Sequence, residues 1–222
     1  RKIELEQALS LFLDIKCVSA GLAPSAVVVV ATIRALKAHG GVALDALDQP
    51  DPDAVQRGLG NLGRHLDSAD AFNLQPVVAI NHFVHDSDEE VAVIQSFCES
   101  RNVPAIVNRG WSDGGDGARD LAEKVVQVVD NASAGFTPIY DWSASVKDKV
   151  HQVATRIYGA QRVRWDRKAE QDLRKIKRLG LEGLPVCIAK TQYSFSDDPS
   201  AVGAASGFTL QIEDVILNRG AG

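Results

Sequence analysis

The 222-residue sequence contains no methionine and only three cysteines, Cys17, Cys98 and Cys187, set far apart. It has no Cys-x-x-Cys pair, and His39, His65, His82, His85 and His151 show no metal-ligand spacing, so no metal site is expected. The cysteines read as reduced thiols of a cytoplasmic protein. No apolar run approaches the roughly 18 residues that a membrane span needs, because Val27 to Ile33 is closed at once by Arg34 and Lys37. Neither sign of charge dominates. With Lys+Arg 24 against Asp+Glu 29 the net charge is -5, which argues against nucleic acid as a partner. Two phosphate-binding patterns are absent: the Gly-x-x-x-x-Gly-Lys-Ser/Thr loop and the complete dinucleotide fingerprint. A nucleotide is therefore not held by this chain in the usual way. The chain opens on Arg1 with neither a signal pattern nor a helix cap, and stops directly after a strand-like run. It is expected to be part of a longer polypeptide.

What is present suits a globular fold with a sizeable core: 45% hydrophobic and 24% charged residues. Short aliphatic runs alternate with helical periodicity, the pattern of βαβ units. Strands are predicted at Val27–Thr32, Pro76–Ile80 and Pro104–Val107. Asp51-Pro52 caps a helix with Val55, Leu59, Leu62 and Leu66 on one face, in which Gly58, Gly60 and Gly63 imply close packing. Ser87 and Glu90 form a capping box ahead of Val91, Ile94 and Cys98, and Leu121, Val125 and Val128 mark a further helix. Three such steps predict an α/β, doubly wound, mostly parallel sheet with right-handed crossovers. From Asn131 a smaller α+β portion is expected. In it Ser145 and Asp166 cap helices, Gly180 stops the second, and Pro185–Ala189 and Phe208–Ile212 form strands.

Open parallel sheets bind ligands beyond the carboxyl ends of their strands. That rule selects the loops 34–41, 81–87 and 108–117. Trp111 lies beside Gly114, Gly115 and Gly117, where an indole face and a closely approaching backbone meet a flat ligand. Phe83 follows Asn81 at the neighbouring strand end, so two aromatics are placed to sandwich a heteroaromatic ring. Against this, a loop tryptophan is more often packed on its own domain, and a glycine cluster is more often a turn. Arg34 and Lys37 read equally as a solvated face, and the basic stretch 168–178 as an exposed helix side.

Several motifs carry a resemblance. Val30-Ala-Thr-Ile-Arg34-Ala-Leu-Lys37-Ala-His39-Gly40-Gly41 and Asp14-Ile-Lys-Cys17 fit a formate–tetrahydrofolate ligase signature. So do Asn61-Leu-Gly-Arg-His65, Ala79-Ile-Asn81-x-Phe83, Leu184 to Ser194, Ser196-Asp-Asp-Pro199 and Gly207-Phe-Thr209, in order and spacing. The chain from about Asp14 to Gly222 resembles an internal to C-terminal segment of that family.

The resemblance implies an ATP-dependent carbon–nitrogen ligase of one-carbon metabolism. Formate attacks the terminal phosphate of ATP to give formyl phosphate, and tetrahydrofolate then takes the formyl group. It also implies a P-loop NTPase-like fold, Mg²⁺ with ATP, a monovalent cation and a tetramer. The phosphate loop and the formate-binding arginine lie upstream of this chain, so the isolated segment is expected to be inactive and no catalytic residue is assigned. Trp111, Phe83 and Val107 would line the folate pocket. Asn81, Arg34, Gly114, Gly115, Lys190, Thr191 and Gln192 would form its wall or the nucleotide side. Residues 1–63 are expected to complete the nucleotide-binding domain, and residues 64–222 to carry the folate site and C-terminal domain. The stretch Arg1 to Leu11 departs from the family, His82 stands where a longer basic side chain is usual, and Ala38 replaces a methionine. A non-catalytic folate- or nucleotide-binding or scaffold module is the alternative. An unrelated doubly wound oxidoreductase is disfavoured by the missing fingerprint.

Overall fold

A computed structural model describes residues 9–132, 135–188 and 207–218. Contacts divide the chain into a sheet unit, Ala23–Thr137, and a terminal unit of Arg1–Leu22 with Pro138–Gly222. The expected functional boundary between residues 63 and 64 falls inside a helix of the sheet unit.

In the sheet unit the elements run β1 (Val27–Thr32), α1 (Ile33–His39), α2 (Pro52–Ala71), β2 (Pro76–Asn81), α3 (Asp88–Ser100), β3 (Ala105–Asn108), α4 (Gly110–Asp113) and α5 (Arg119–Asp130). The three strands are parallel in the order β1-β2-β3. This confirms an α/β architecture with a parallel sheet. The order does not reverse, so the described strands contain no switch point of the kind a doubly wound sheet has. Strand β2 is central and buried along Pro76 to Ile80, whereas β1 buries Val29 and Ala31 and exposes Val28 and Val30. Beneath the sheet, Ile33 and Leu36, the α2 face of Val55, Leu59, Leu62 and Leu66, and the α3 face of Val91, Ile94 and Cys98 form one core.

The helices α2 and α3 begin where the sequence puts a cap. Asp51 accepts from the Ala54 N–H at 2.8 Å ahead of Pro52, and Ser87 and Glu90 close the predicted capping box. Two of the three helix glycines have the expected close neighbours. A Cβ on Gly58 would lie 2.0 Å from the Leu36 carbonyl oxygen, and one on Gly40 2.0 Å from that of Ala54, so α1 and α2 cross backbone against backbone. Gly63 lies against the Phe97 ring, and Gly60 is exposed.

Lys37 is not part of a solvated face. Its side chain is wholly buried, with Nζ 2.9 Å from Glu90 Oε1 and donating to the Gln49 carbonyl at 3.0 Å. Glu90 in turn accepts from the Asp51 N–H, the Ser87 N–H and the Ser87 hydroxyl at 2.9, 2.9 and 3.1 Å. Burial pushes the Glu90 carboxyl up, yet these donors outweigh it and hold the group below its ordinary value. One ion pair thereby joins α1 to the starts of α2 and α3.

In the terminal unit, a π-helical stretch Leu11–Cys17 is followed by α6 (Val146–Arg156), β4 (Arg162–Trp165), α7 (Arg167–Arg178) and β5 (Thr209–Ile212). Ser145 caps α6 as expected, accepting from the Asp148 N–H, and Gly180 ends α7 with φ +67°. Asp166 makes no cap bond and instead accepts from Gln211 Nε2 at 3.0 and 2.9 Å. Strand β5 fits the expected run and pairs in parallel with β4, a strand the sequence pattern did not reveal. Pro185 to Ile188 is not a strand; Ala189 lies outside the described residues. Val186 and Ile188 still pack inward, but the Tyr140 hydroxyl donates to Val186 O at 3.0 Å and accepts from Val186 N at 3.1 Å. A side chain takes the place of a neighbouring strand. All three cysteines are free, and burial pushes the Cys98 thiol up to about 11.

Asp14 is fully buried, accepting from the Ile139 N–H at 2.8 Å and the Ser10 hydroxyl at 2.9 Å. Burial raises its carboxyl to about 6, with those donors and Arg156 opposing the rise.

Two outcomes are expected from equilibrium denaturation. Lys37→Met strands a buried carboxylate and costs about 3–5 kcal/mol, while Lys37→Met/Glu90→Gln costs less than the sum of the single changes. A Lys37→Met variant within about 0.5 kcal/mol of wild type would show that the pair does not hold the helices. For Asp14, the folded state binds its proton more tightly than the unfolded chain. Its stabilising contribution is therefore present below pH 3.8 and lost as pH rises through about 6, a change of about 3 kcal/mol. Asp14→Asn removes that segment of the pH profile.

Candidate functional site

Register brings three polar side chains level at the carboxyl end of the sheet: Thr32 pairs with Asn81, and Asn81 with Asn108. The three strands then lead into different structures. Thr32 enters α1 directly, its hydroxyl oxygen accepting from the Ala35 N–H at 3.2 Å. Asn81 leads into a short turn in which Phe83 N donates to Asp86 Oδ2 at 2.8 Å and Asp86 N to Phe83 O at 3.0 Å. Asn108 leads into α4, which carries Trp111.

The two aromatics meet. The Phe83 and Trp111 ring centroids are 6.3 Å apart with 54° between the ring planes, and Trp111 is 76% exposed. That separation is within contact range for an aromatic pair. Asn108 braces the arrangement, its Nδ2 donating to Asn81 Oδ1 at 2.7 Å and its Oδ1 accepting from Gly110 N at 3.1 Å. Sequence reasoning included Asn108 as the first residue of a selected loop but gave it no role. Its level register with Asn81 is the signal that a strand alignment supplies.

The loop from Arg109 to Gly117 is closed by Arg109 N donating to Gly117 O at 3.0 Å. A Cβ on Gly117 would stand 2.5 Å from the Arg109 oxygen, so the closure requires glycine. Arg119 pairs with Asp116 beside it.

The other selected residues are placed less closely. Val107 is half-buried and packs on the core under β3. Gly114, with φ +60°, and Gly115 sit in the exposed turn after α4 with open space around them. Arg34 is exposed on α1 and pairs with Asp48. Lys190, Thr191 and Gln192 lie outside the described residues. Among the described residues no three His, Cys, Asp or Glu side chains gather to hold a metal ion, so the Mg²⁺ and monovalent cation implied by the resemblance are assigned to no residue. No helix among them is long and apolar enough to cross a membrane.

Comparison with known proteins decides the family. The family model described as formate–tetrahydrofolate ligase matches residues 5–222. The chain belongs to the formate–tetrahydrofolate ligase family. The curated formate–tetrahydrofolate ligases of Staphylococcus aureus strains NCTC 8325 / PS 47, MSSA476 and MRSA252 are each 45% identical to it over 211 residues. These matches cover 95% of this chain and 38% of each relative, so the chain spans under two fifths of the ligases it matches. Within the family segment, the paired rings occupy the strand-end position that parallel sheets use for ligands.

Gly117→Ala is expected to force the Arg109–Gly117 closure open and to cost about 1–3 kcal/mol, as overpacking does. Amide exchange at Arg109 measures it: protection of that N–H is lost in the variant. Unchanged protection would show that the loop accommodates the methyl group.

Proposed function

We propose that this chain supplies the pterin pocket of a ligase that forms 10-formyltetrahydrofolate from formate, tetrahydrofolate and ATP. The observation that carries the reading is the Phe83–Trp111 pair at adjacent strand ends in a chain of this family. A ring between two faces needs each about 3.5–4.0 Å away, which is wider than rings already touching one another. Pterin entry therefore separates the pair, and Trp111, exposed on a four-residue helix between Gly110 and Gly114, is the ring that swings. Val107 forms the floor and Asn81 the polar wall.

ATP, its Mg²⁺ and formate are bound chiefly by residues outside this chain, through a phosphate loop that the chain itself lacks. Formyl phosphate forms there and the folate amine then attacks it, a reaction that rests on positioning and charge neutralisation. On this reading the isolated chain is inactive. The three strands of the sheet unit belong to a larger doubly wound, P-loop NTPase-like sheet, and the whole protein assembles as a cytoplasmic tetramer. Residues 1–63 serve the nucleotide side and residues 64–222 the folate side, with Arg34, Gly114, Gly115, Lys190, Thr191 and Gln192 along the shared wall. The departures at Arg1 to Leu11 and at His82 also fit a non-catalytic folate- or nucleotide-binding or scaffold module. Formate-dependent release of ADP by the longer polypeptide separates the two.

Titration with tetrahydrofolate is expected to quench tryptophan fluorescence, with Trp111→Ala losing most of the change although Trp142 and Trp165 remain. Phe83→Ala weakens binding up to about tenfold, the equivalent of one stacking partner. An unchanged emission from folded wild type at millimolar ligand rejects the folate site.

A further inference from the structure

A backbone N–H can only donate, and that of Gly110 donates to a side-chain atom of Asn108 at 3.1 Å. The atom is therefore the amide oxygen, and the opposite end of Asn108 is its NH₂ group. This NH₂ lies 2.7 Å from Asn81, so the Asn81 atom it meets is also an oxygen. What remains at Asn81 is Nδ2 with two N–H donors, which bonds to no described residue. Asn81 is half-buried between Thr32 and Asn108, and the Thr32 oxygen is already engaged by the Ala35 N–H.

We propose that Asn108 is a positioning residue that sets the amide polarity of Asn81, so that Asn81 shows the strand-end pocket a donor and selects a ligand edge that accepts. An unanchored asparagine turns its amide over and meets donors and acceptors alike. Anchored through its oxygen, Asn81 rejects an N–H edge, because donors would face donors with neither satisfied. The pyrimidinone ring of a tetrahydropterin carries a carbonyl oxygen and an amino group on opposite sides of a ring N–H. A donor-only contact therefore also decides which way round the ring lies, directing the carbonyl or an unprotonated ring nitrogen to Asn81. The identity of this heterocycle rests on the folate reading. The polarity relay rests on the Gly110 N–H alone.

Two isosteric variants invert the polarity. In Asn108→Asp the carboxylate cannot donate, so Asn81 turns over to donate to it and shows its oxygen to the pocket. In Asn81→Asp one oxygen keeps the Asn108 NH₂ and the other faces outward. Both are expected to weaken tetrahydrofolate binding at least tenfold by tryptophan fluorescence. A second readout needs no ligand: in the ¹⁵N-labelled chain the Asn108 side-chain amide exchanges slowly with solvent and that of Asn81 quickly, and in Asn108→Asp the Asn81 amide becomes slow. Backbone exchange in β2 and β3 verifies the fold of each variant.

A protected Asn81 amide in wild type, or one whose exchange is unmoved in folded Asn108→Asp, overturns the relay. The stated exchange pattern with wild-type affinity in both variants overturns its role in selection. The stated pattern with no tetrahydrofolate binding by wild type supports the relay and removes the folate reading, leaving a different acceptor-bearing heterocycle as the ligand.

Discussion

The ion pair between Lys37 and Glu90 is the constraint on which the sheet unit's geometry rests. A buried carboxylate is tolerable only when its desolvation is offset, and here an ammonium, two backbone N–H groups and a hydroxyl converge on it. The same carboxylate caps α3 and receives the N–H of the residue that caps α2. Breaking it therefore releases several helix starts together. Because α3 begins at Asp88, fixing its start also fixes the span available to the turn that carries Phe83. Core electrostatics and ring placement are linked through that turn.

At the strand ends, labour is divided by the kind of connection each strand enters. The end of β1 is closed, since Thr32 spends its oxygen on the helix that begins immediately after it. The ends of β2 and β3 open into loops that bring the two rings together, and the last residues of the two strands join through their amides. The proposed folate site would give this arrangement its chemical meaning. The apolar rings suit the faces of a flat heterocycle, and the amides suit its edge.

Local signals were the legible part of the fold. Val27 to Thr32 is bounded as a strand by its own aliphatic run, and Asp51-Pro52 and Ser87 with Glu90 announce helix starts, since caps depend on neighbours three residues away. Long-range pairing was not legible. Nothing near Lys37 marks a partner 53 positions on, so lysine's usual exposure was the default reading. Strand β4 alternates correctly in Arg162-Val-Arg-Trp165 but is only four residues long between two helices. Pro185 to Ile188 has a strand's composition and inward packing, yet finds its hydrogen bonds on a tyrosine side chain. For the candidate site, the strand-end rule pointed to both rings and to the loop that begins at Asn108, whereas the bond from Asn108 to Asn81 emerged only from the alignment of β2 with β3.

The glycine crossing of α1 and α2 has a mechanical consequence. Where Gly40 and Gly58 let carbonyls of the opposite helix approach, neither a closer approach nor an intervening side chain is sterically available. The α1–α2 spacing beside β1 is thus fixed and cannot be retuned by substitution at these two positions. On the proposed folate reading, separation of the two rings would then fall to the turn after β2 and the short helix after β3.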